Sequence, residues 1–479
     1  MSQTLCILLC LQCGQVPPAH AVGGAGEVQQ LERQLLEFEQ SLHTLEQRYT
    51  QPVDGSPPVG LPANPIRPAT FGLPIETHSY DPNAHTQDCT DIGSSTWACD
   101  AIDNPGNDCN WVEQLCTDCK EGLSWNKGAI RVVPFGYAAA DMIASERTYT
   151  FLAGPLFLLP AVPAGIPDSR FTISGQQTTL GFNVTAPDLG AFQSGATVLF
   201  NFFGDRPVQN NPGVFFLLGY VELKNEDWRL WAGQDADKIG RQETNSPSWT
   251  SHKQSGNAGQ IRPGFRAERF VTISEHAQTS FYVGLTQQVV LDFIANPEVA
   301  GTDNGWPNVE LRWEVGLGSE TNGQRPVMLA VGGLVGETRA VDFAGNPLSN
   351  VSKTWAVIPE LRIQSGCFGF QGELFFGEAL GTYNIGIGQS LNAFTDEAIY
   401  SAGGFGELFC DLTDALTVSV GYGIDDPRDA DLAMPQRSLN ETYWVNAICR
   451  WNEQWETRGE ISRLKTDYTD PGSNSKSMI

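Results

Sequence analysis

The feature that most constrains this chain is a repeated alternation of apolar and polar residues that begins near Ile130. Residues 310–315, for example, read Glu-Leu-Arg-Trp-Glu-Val, and residues 357–363 and 417–422 follow the same pattern. Successive side chains point to opposite faces of a β-strand, so each such segment has one apolar and one polar face. About fifteen such segments lie between Ile130 and Tyr468, and Gly, Asn, Asp and Pro clusters separate them. The sequence therefore predicts an all-β fold of many short antiparallel strands.

Two β-architectures remain open, a large transmembrane barrel and a soluble Gly-rich sandwich. The apolar faces are rich in Phe, Trp and Tyr, and the opposite faces carry Arg and Glu. Charged residues are only 18% of the chain, aromatic residues are 10%, and Gly occurs 50 times. An aromatic outer face around a polar interior is typical of outer-membrane barrels, which usually have an even number of strands. We therefore predict a large antiparallel transmembrane β-barrel of about 16 strands, with charged side chains around a water-filled interior.

The first fifty residues predict a secretory signal followed by one helix. An apolar run at residues 5–11 precedes Ala19-His20-Ala21, which fits a signal peptide over 1–21, although no Lys or Arg comes before the run. A buried N-terminal strand is the alternative for this run. Residues 22–50 then carry a heptad seam, which predicts a coiled-coil oligomerisation helix or an amphipathic helix docked on its own domain. The seam residues are Val28, Leu31, Leu35, Phe38, Leu42, Leu45 and Tyr49.

The remaining boundaries follow from composition. Residues 51–82 are a Pro-rich linker, 83–127 a Cys-rich segment, 128–468 the barrel and 469–479 a polar C-terminal tail. In an exported protein disulfides are the default, and an odd number of cysteines leaves one thiol to pair elsewhere or to stay free. A metal site at the Cys-x-x-Cys pair is the less favoured alternative. The disulfide candidates are Cys89, Cys99, Cys109, Cys116 and Cys119.

Several function classes are disfavoured. The formal net charge of −26 opposes binding to a phosphate backbone. The six His residues have no metal-ligand spacing, and we expect neither a metal nor another cofactor. Only His252 and His276 lie in the predicted barrel, and no Gly-x-Ser-x-Gly motif occurs, so we expect no enzyme.

The stretch from Ser169 to Arg269 resembles the DcaP-like trimeric outer-membrane porins. The order of signal peptide, short coiled coil, spacer and barrel is also similar to that family. The resemblance implies a homotrimer in the outer membrane, with the coiled coil in the periplasm and small carboxylate-bearing solutes as cargo. The motifs are Ser-Arg-Phe at 169–171, Leu-Gly-Phe at 180–182, Ala-Pro-Asp-Leu-Gly at 186–190, Phe-Asn-Phe-Phe-Gly at 200–204, Tyr-Val-Glu-Leu at 220–223, Ala-Gly-Gln at 232–234 and Gln-Ile-Arg at 260–262.

The chain departs from the family pattern at two places. Thr178 and Thr179 stand where the family usually has a basic residue, which implies a less cationic interior. The expected last strand ends near Tyr468 and is followed by an 11-residue polar tail that ends at Ile479, whereas such barrels commonly end on an aromatic residue. The Cys-rich segment has no match in the family.

Strand parity selects the residues expected around the pore. If Phe265 and Ala267 face lipid, their sequence neighbours face the interior, where charged side chains set the selectivity of a channel. The alternative is that these arginines pair with neighbouring carboxylates and only brace the barrel. The predicted pore-lining residues are Arg170, Arg262, Arg266, Glu268, Arg312, Glu314, Glu360 and Arg362.

Two long loops complete the prediction. Residues 145–168 are strongly apolar, which favours a contact with a neighbouring subunit over insertion into the pore. Residues 234–258 are polar and charged and suit an exposed or plug-like loop. The function predicted is an outer-membrane porin for small polar or anionic solutes. The alternative is a secreted soluble β-rich binding or surface-structural protein tethered by its coiled coil.

Overall fold

The fold is taken from a computed structural model that describes residues 124–149, 154–163, 166, 168–202, 213–248, 250–289, 301–320, 324–341, 346–452 and 454–479. The predicted signal peptide 1–21, helix 22–50, linker 51–82 and all but the last few residues of the segment 83–127 lie outside these residues. The same holds for the seven heptad positions and the five cysteine candidates. No helix in the described part of the chain has the length and apolarity needed to span a membrane.

The described residues form twenty β-strands and no α-helix. The strands are β1 (Trp125–Lys127), β2 (Ile130–Tyr137), β3 (Asp141–Ser145), β4 (Arg170–Ser174), β5 (Thr179–Leu189), β6 (Phe192–Asn201), β7 (Phe215–Lys224), β8 (Trp228–Ala236), β9 (Ile261–Ser274), β10 (Ala277–Thr286), β11 (Gly301–Asp303), β12 (Asn308–Leu317), β13 (Val327–Val341), β14 (Ser352–Ser365), β15 (Phe368–Glu378), β16 (Tyr400–Thr413), β17 (Leu416–Pro427), β18 (Arg437–Asn452), β19 (Trp455–Tyr468) and β20 (Ser475–Met478). Short 3₁₀ turns occupy Gly381–Tyr383, Gly386–Gly388, Asp429–Asp431 and Pro471–Ser473.

Neighbouring strands pair antiparallel along almost all of the described residues. The pairing of β2 with β5 continues into that of β3 with β4, so β2 and β3 together form one interrupted strand, and β4 and β5 together form the next. The short strands β1 and β11 are additions to β2 and β13. Sixteen strands of the described residues therefore make up the barrel sheet, which we call the wall, and this is the number that the sequence predicts.

The last strand closes the wall and corrects one sequence boundary. Residues 469–479 are expected to be a polar tail, but β20 lies within them and pairs with β19. On its other side the Glu146 amide donates to the Met478 carbonyl oxygen at 3.2 Å, and the hydroxyls of Ser145 and Ser477 are 2.9 Å apart. The prediction was wrong because two serines of β20 turn inward, so the strand lacks an apolar period.

The outward face of the wall is a belt of exposed apolar side chains, as the alternation predicts. Aromatic residues, however, occur on both faces: Tyr282, Phe375 and Trp444 are buried inside, although the sequence analysis expects aromatic side chains outward. The outward belt includes Phe182, Val221, Phe265, Phe281, Val283, Leu311, Trp313, Leu329, Val331, Leu374, Leu408, Val420, Val445 and Ile461.

Three connections between strands fold back into the barrel. We call their described residues the β3–β4 segment (146–149, 154–163, 166 and 168–169), the β8–β9 segment (237–248 and 250–260) and the β15–β16 segment (379–399). A buried apolar cluster joins two of them to the wall, and its members are Ile239, Ala258, Leu334, Ala356, Ile358, Phe375, Leu380, Tyr383 and Ile385. The interior of the barrel thus contains a packed core, where the sequence predicts water.

Candidate channel interior

All eight predicted pore-lining residues point toward the barrel interior. Their neighbours in the strands, such as Phe265 and Leu311, are exposed on the outer face. Arg170 is half-buried, but each of the other seven is less than a tenth exposed. Their direction agrees with strand parity, but their surroundings differ from the water-lined path that was expected.

Arg312 on β12 is the centre of one buried charge network. Its guanidinium contacts Glu314 on the same strand, with Nη2 2.6 Å from Oε2, and it also pairs with Glu360 on β14. Glu360 in turn accepts hydrogen bonds from the backbone amides of Arg241 and Gln242, at 3.0 and 3.2 Å. Because a buried charge requires paired partners, this network fixes the β8–β9 segment against the wall.

Arg262, at the start of β9, joins the β8–β9 and β15–β16 segments. Its side chain is fully buried, and its Nε lies 3.3 Å from Asp237 and 3.8 Å from Glu310. Nη2 donates to the Thr382 carbonyl oxygen at 2.7 Å, and the guanidinium lies 3.6 Å from the centre of the Tyr383 ring. Burial raises the pKa of the Tyr383 hydroxyl above its ordinary value, so the ring stays neutral beside this cation.

The remaining predicted residues also have protein partners. Arg266 donates to the carbonyl oxygens of Gly233, Asp235 and Arg262. Glu268 pairs with Arg241 of the β8–β9 segment at 3.0 Å. The other two lie nearer the ends of their strands: Arg362 donates to Gln364 at 2.8 Å, and Arg170 donates to the Tyr149 carbonyl oxygen at 3.1 Å.

Two further glutamates that sequence reasoning missed hold the β8–β9 segment. Glu373 on β15 accepts from the backbone amide of Ala258. Glu407 on β16 accepts from the backbone and side-chain amides of Asn245, each at 3.0 Å. Both residues face inward, so strand parity could have selected them together with Glu360.

The β15–β16 segment is held at its second turn by Arg437 of β18. The Arg437 Nε donates to the Ile387 carbonyl oxygen at 3.1 Å, and its guanidinium lies 4.1 Å from the centre of the Phe157 ring. Phe157 belongs to the β3–β4 segment, which the sequence analysis expects at a subunit contact. Its buried part lies inside the barrel instead: the Leu158 amide donates to Thr466 at 2.9 Å, and the Leu158 carbonyl accepts from Tyr468 at 2.7 Å. Inward-facing polar side chains satisfy its backbone, which is why an apolar loop can insert there.

The two histidines of the barrel lie in different surroundings. His252, in the β8–β9 segment, stacks on Trp444 at 4.1 Å and contacts Glu460 at 3.4 Å. His276, in the β9–β10 turn, lies between Ser319 and Glu275, each at 3.1 Å. The three residues of this second group are exposed, so the group has no enclosed space for a substrate. Among the described residues no group of His, Cys, Asp and Glu is arranged to hold a metal ion.

Comparison with solved structures identifies the fold. The chain is similar to the outer membrane channel DcaP of Acinetobacter baumannii, with a TM-score of 0.56 and 13% identity, over 74% of this chain and 98% of that one. It is also similar to OmpF of Salmonella typhi, with a TM-score of 0.46, 10% identity, and coverage of 74% and 98%. The corresponding values for OmpT of Vibrio cholerae are 0.42, 9%, 74% and 97%. No family model and no curated protein matches the sequence.

The first of these likenesses confirms the resemblance to DcaP at the level of the fold. At 13% identity it shows the shared barrel and not a shared cargo. The inserted segments and their buried contacts are therefore described from this chain alone.

Proposed function

We propose that this chain is an outer-membrane channel of the porin type that passes small polar or anionic solutes. The supporting observation is a sixteen-stranded wall that is apolar outside and polar inside. A closed barrel pairs its backbone groups within the wall, which is what a hydrocarbon environment requires of a spanning structure. The DcaP-like fold supports the same proposal. The three inserted segments narrow the interior, so we expect a selective channel rather than a wide pore.

The proposed assembly is a homotrimer in the outer membrane. It rests on the heptad seam of residues 22–50 and on the resemblance to trimeric porins. In this arrangement the coiled coil lies in the periplasm, where the helix of each protomer packs against the same helix of the other copies. Light scattering of the detergent-solubilised full chain measures the number of copies.

Planar-bilayer recording of the purified full chain tests the channel. We expect stepwise currents, and a reversal potential in a salt gradient that indicates preference for anions. Migration on a gel before and after boiling is the control, because a folded barrel in detergent changes mobility on heating. A heat-modifiable protein that carries no current would contradict the channel. Extraction without detergent, with no change on boiling, would instead favour the secreted soluble protein.

A further inference from the structure

The inward-facing side chains are not equally buried around the barrel. On β10 and β12–β17 almost all of them are buried, as Ser280 at 1% exposed and Glu314 at 0% illustrate, whereas Arg450 and Glu456, at the turn between β18 and β19, are not. On β2 and β5–β8 many inward positions are only half-buried, among them Asn183, Thr185 and Tyr220. Because these positions share the parity of buried inward residues, their exposure is to the interior and not to the outer face.

The inserted segments explain this asymmetry. Their contacts reach β9 through Arg262, β14 and β16 through Glu360 and Glu407, and β18 through Arg437. At Gly332 of β13 the wall and the segment backbone are so close that a Cβ would overlap the Ile239 carbonyl oxygen. This half of the interior is therefore filled with protein.

We infer that solutes cross the barrel along the inner face of β2 and β5–β8, and that Arg229 on this face is a specificity-determining residue. The inference rests on the proposed channel function, and it specifies which side of the barrel interior the solute passes along. It moves the path away from the buried arginines of β9, β12 and β14. Lys224 and Arg131 have the same inward parity on this wall and are not buried. Together with Arg229 they make three basic side chains against Glu222 and the buried Asp235.

Arg229 is held in a defined position. Its Nε donates to Glu222 at 2.8 Å, and its guanidinium lies 4.6 Å from the centre of the Trp231 ring. Nη2 also donates to the Tyr220 hydroxyl at 3.4 Å. The side chain nevertheless stays 14% exposed, in contrast to 1% for Arg312. A fixed cation that solvent still reaches can act on a passing anion.

Cysteine accessibility locates the path. Thr185→Cys and Ser280→Cys both place a thiol on the inner face, at an open and a filled position. In proteoliposomes of the full chain, we expect the anionic reagent 2-sulfonatoethyl methanethiosulfonate to modify the first about tenfold faster than the second, because thiol reactivity follows exposure. The same modification should reduce the current of Thr185→Cys only. The unsubstituted protein supplies the background, since the native Cys367 and Cys449 are partly exposed.

Removal of the charge at position 229 tests whether Arg229 contributes to the selectivity for anions. Arg229→Gln should shift the reversal potential toward cations, whereas Arg463→Gln, the same change on the exposed outer face, should leave it unchanged. Faster modification of Ser280→Cys than of Thr185→Cys in a conducting channel would overturn the path, and equal reversal potentials in the two arginine variants would overturn the role of Arg229. Absence of current in the unsubstituted protein contradicts the proposed function itself, and the labelling rates still report the open side.

Discussion

At the scale of single residues, carboxylates decide how the interior is organised. Glu360, Glu373 and Glu407 lie on consecutive strands, and each accepts a backbone amide of the β8–β9 segment. Loop amides inside a barrel have no strand partner, so a buried acceptor is needed for each. The glutamates supply these acceptors, and in the case of Glu360 the same side chain also neutralises Arg312.

Truncating Glu360 should therefore destabilise the folded barrel. Glu360→Ala leaves the Arg312 guanidinium and two loop amides without this acceptor, and removing one partner of a buried ion pair costs about 3–5 kcal/mol. The midpoint of denaturant unfolding, followed by heat-modifiable migration, measures the loss. Glu397→Ala removes an exposed carboxylate and should cost less than about 0.5 kcal/mol. Equal midpoints for the two variants would show that the buried network does not stabilise the barrel.

Strand parity predicted the direction of residues but not their partners. Period two is a local property, so the inward direction of Arg312, Glu314 and Glu360 could be predicted from a few neighbouring letters. Their pairing depends on strands and loops that are distant in sequence, as the contact of Arg262 with Thr382 illustrates. Whether an inward charge meets water or protein is therefore not encoded locally.

At the scale of elements, the β8–β9 segment fits because the wall provides space at glycines. Gly332 lies beneath Ile239, and Gly423 lies beneath Ser255, where any Cβ would overlap a segment carbonyl oxygen. Glycine lacks a Cβ, so the segment backbone can approach the wall closely. The wall and the segment are thus matched in shape as well as in charge.

A larger side chain at Gly332 should displace the segment and change conduction. In Gly332→Val the side chain occupies the position of the Ile239 carbonyl, so we expect the segment to move toward the open side and the single-channel conductance to change by more than the scatter between recordings. Val331→Ala, on the outer face of the same strand, is the control and should conduct as the unsubstituted protein does. Unchanged conductance in a folded Gly332→Val barrel would mean that the segment does not border the path.

The two wrong predictions, for the β3–β4 segment and for β20, have the same cause. The β3–β4 segment is apolar and β20 is polar, so hydrophobicity assigned the first to a subunit contact and the second to a tail. In the structure, Phe157 packs against Arg437, and Ser475 and Ser477 of β20 face inward. Hydrophobicity does not distinguish a buried interior contact from an interface, and a strand of four residues is too short to show a period.

At the scale of the whole molecule, the described residues form a large barrel whose interior is filled with protein on one side. A barrel of sixteen strands is too wide for wall side chains alone to fill, so its interior holds water or inserted chain. Here three inserted segments pack against β9–β19, and the face of β2 and β5–β8 stays partly open. In the proposed channel this wall meets lipid outside, protein on one inner side and water on the other.

Spin-label accessibility in liposomes tests that claim most directly. Nitroxides are attached to single cysteines at Phe281, Val283, Ser280, Asn183 and Thr185, in a background that lacks reactive native thiols. We predict collision with oxygen at Phe281 and Val283, and collision with a water-soluble nickel complex at Asn183 and Thr185. At Ser280 we predict little collision with either. Equal nickel accessibility at Phe281 and Thr185 would contradict a membrane-spanning wall, and strong nickel accessibility at Ser280 would contradict the filled half.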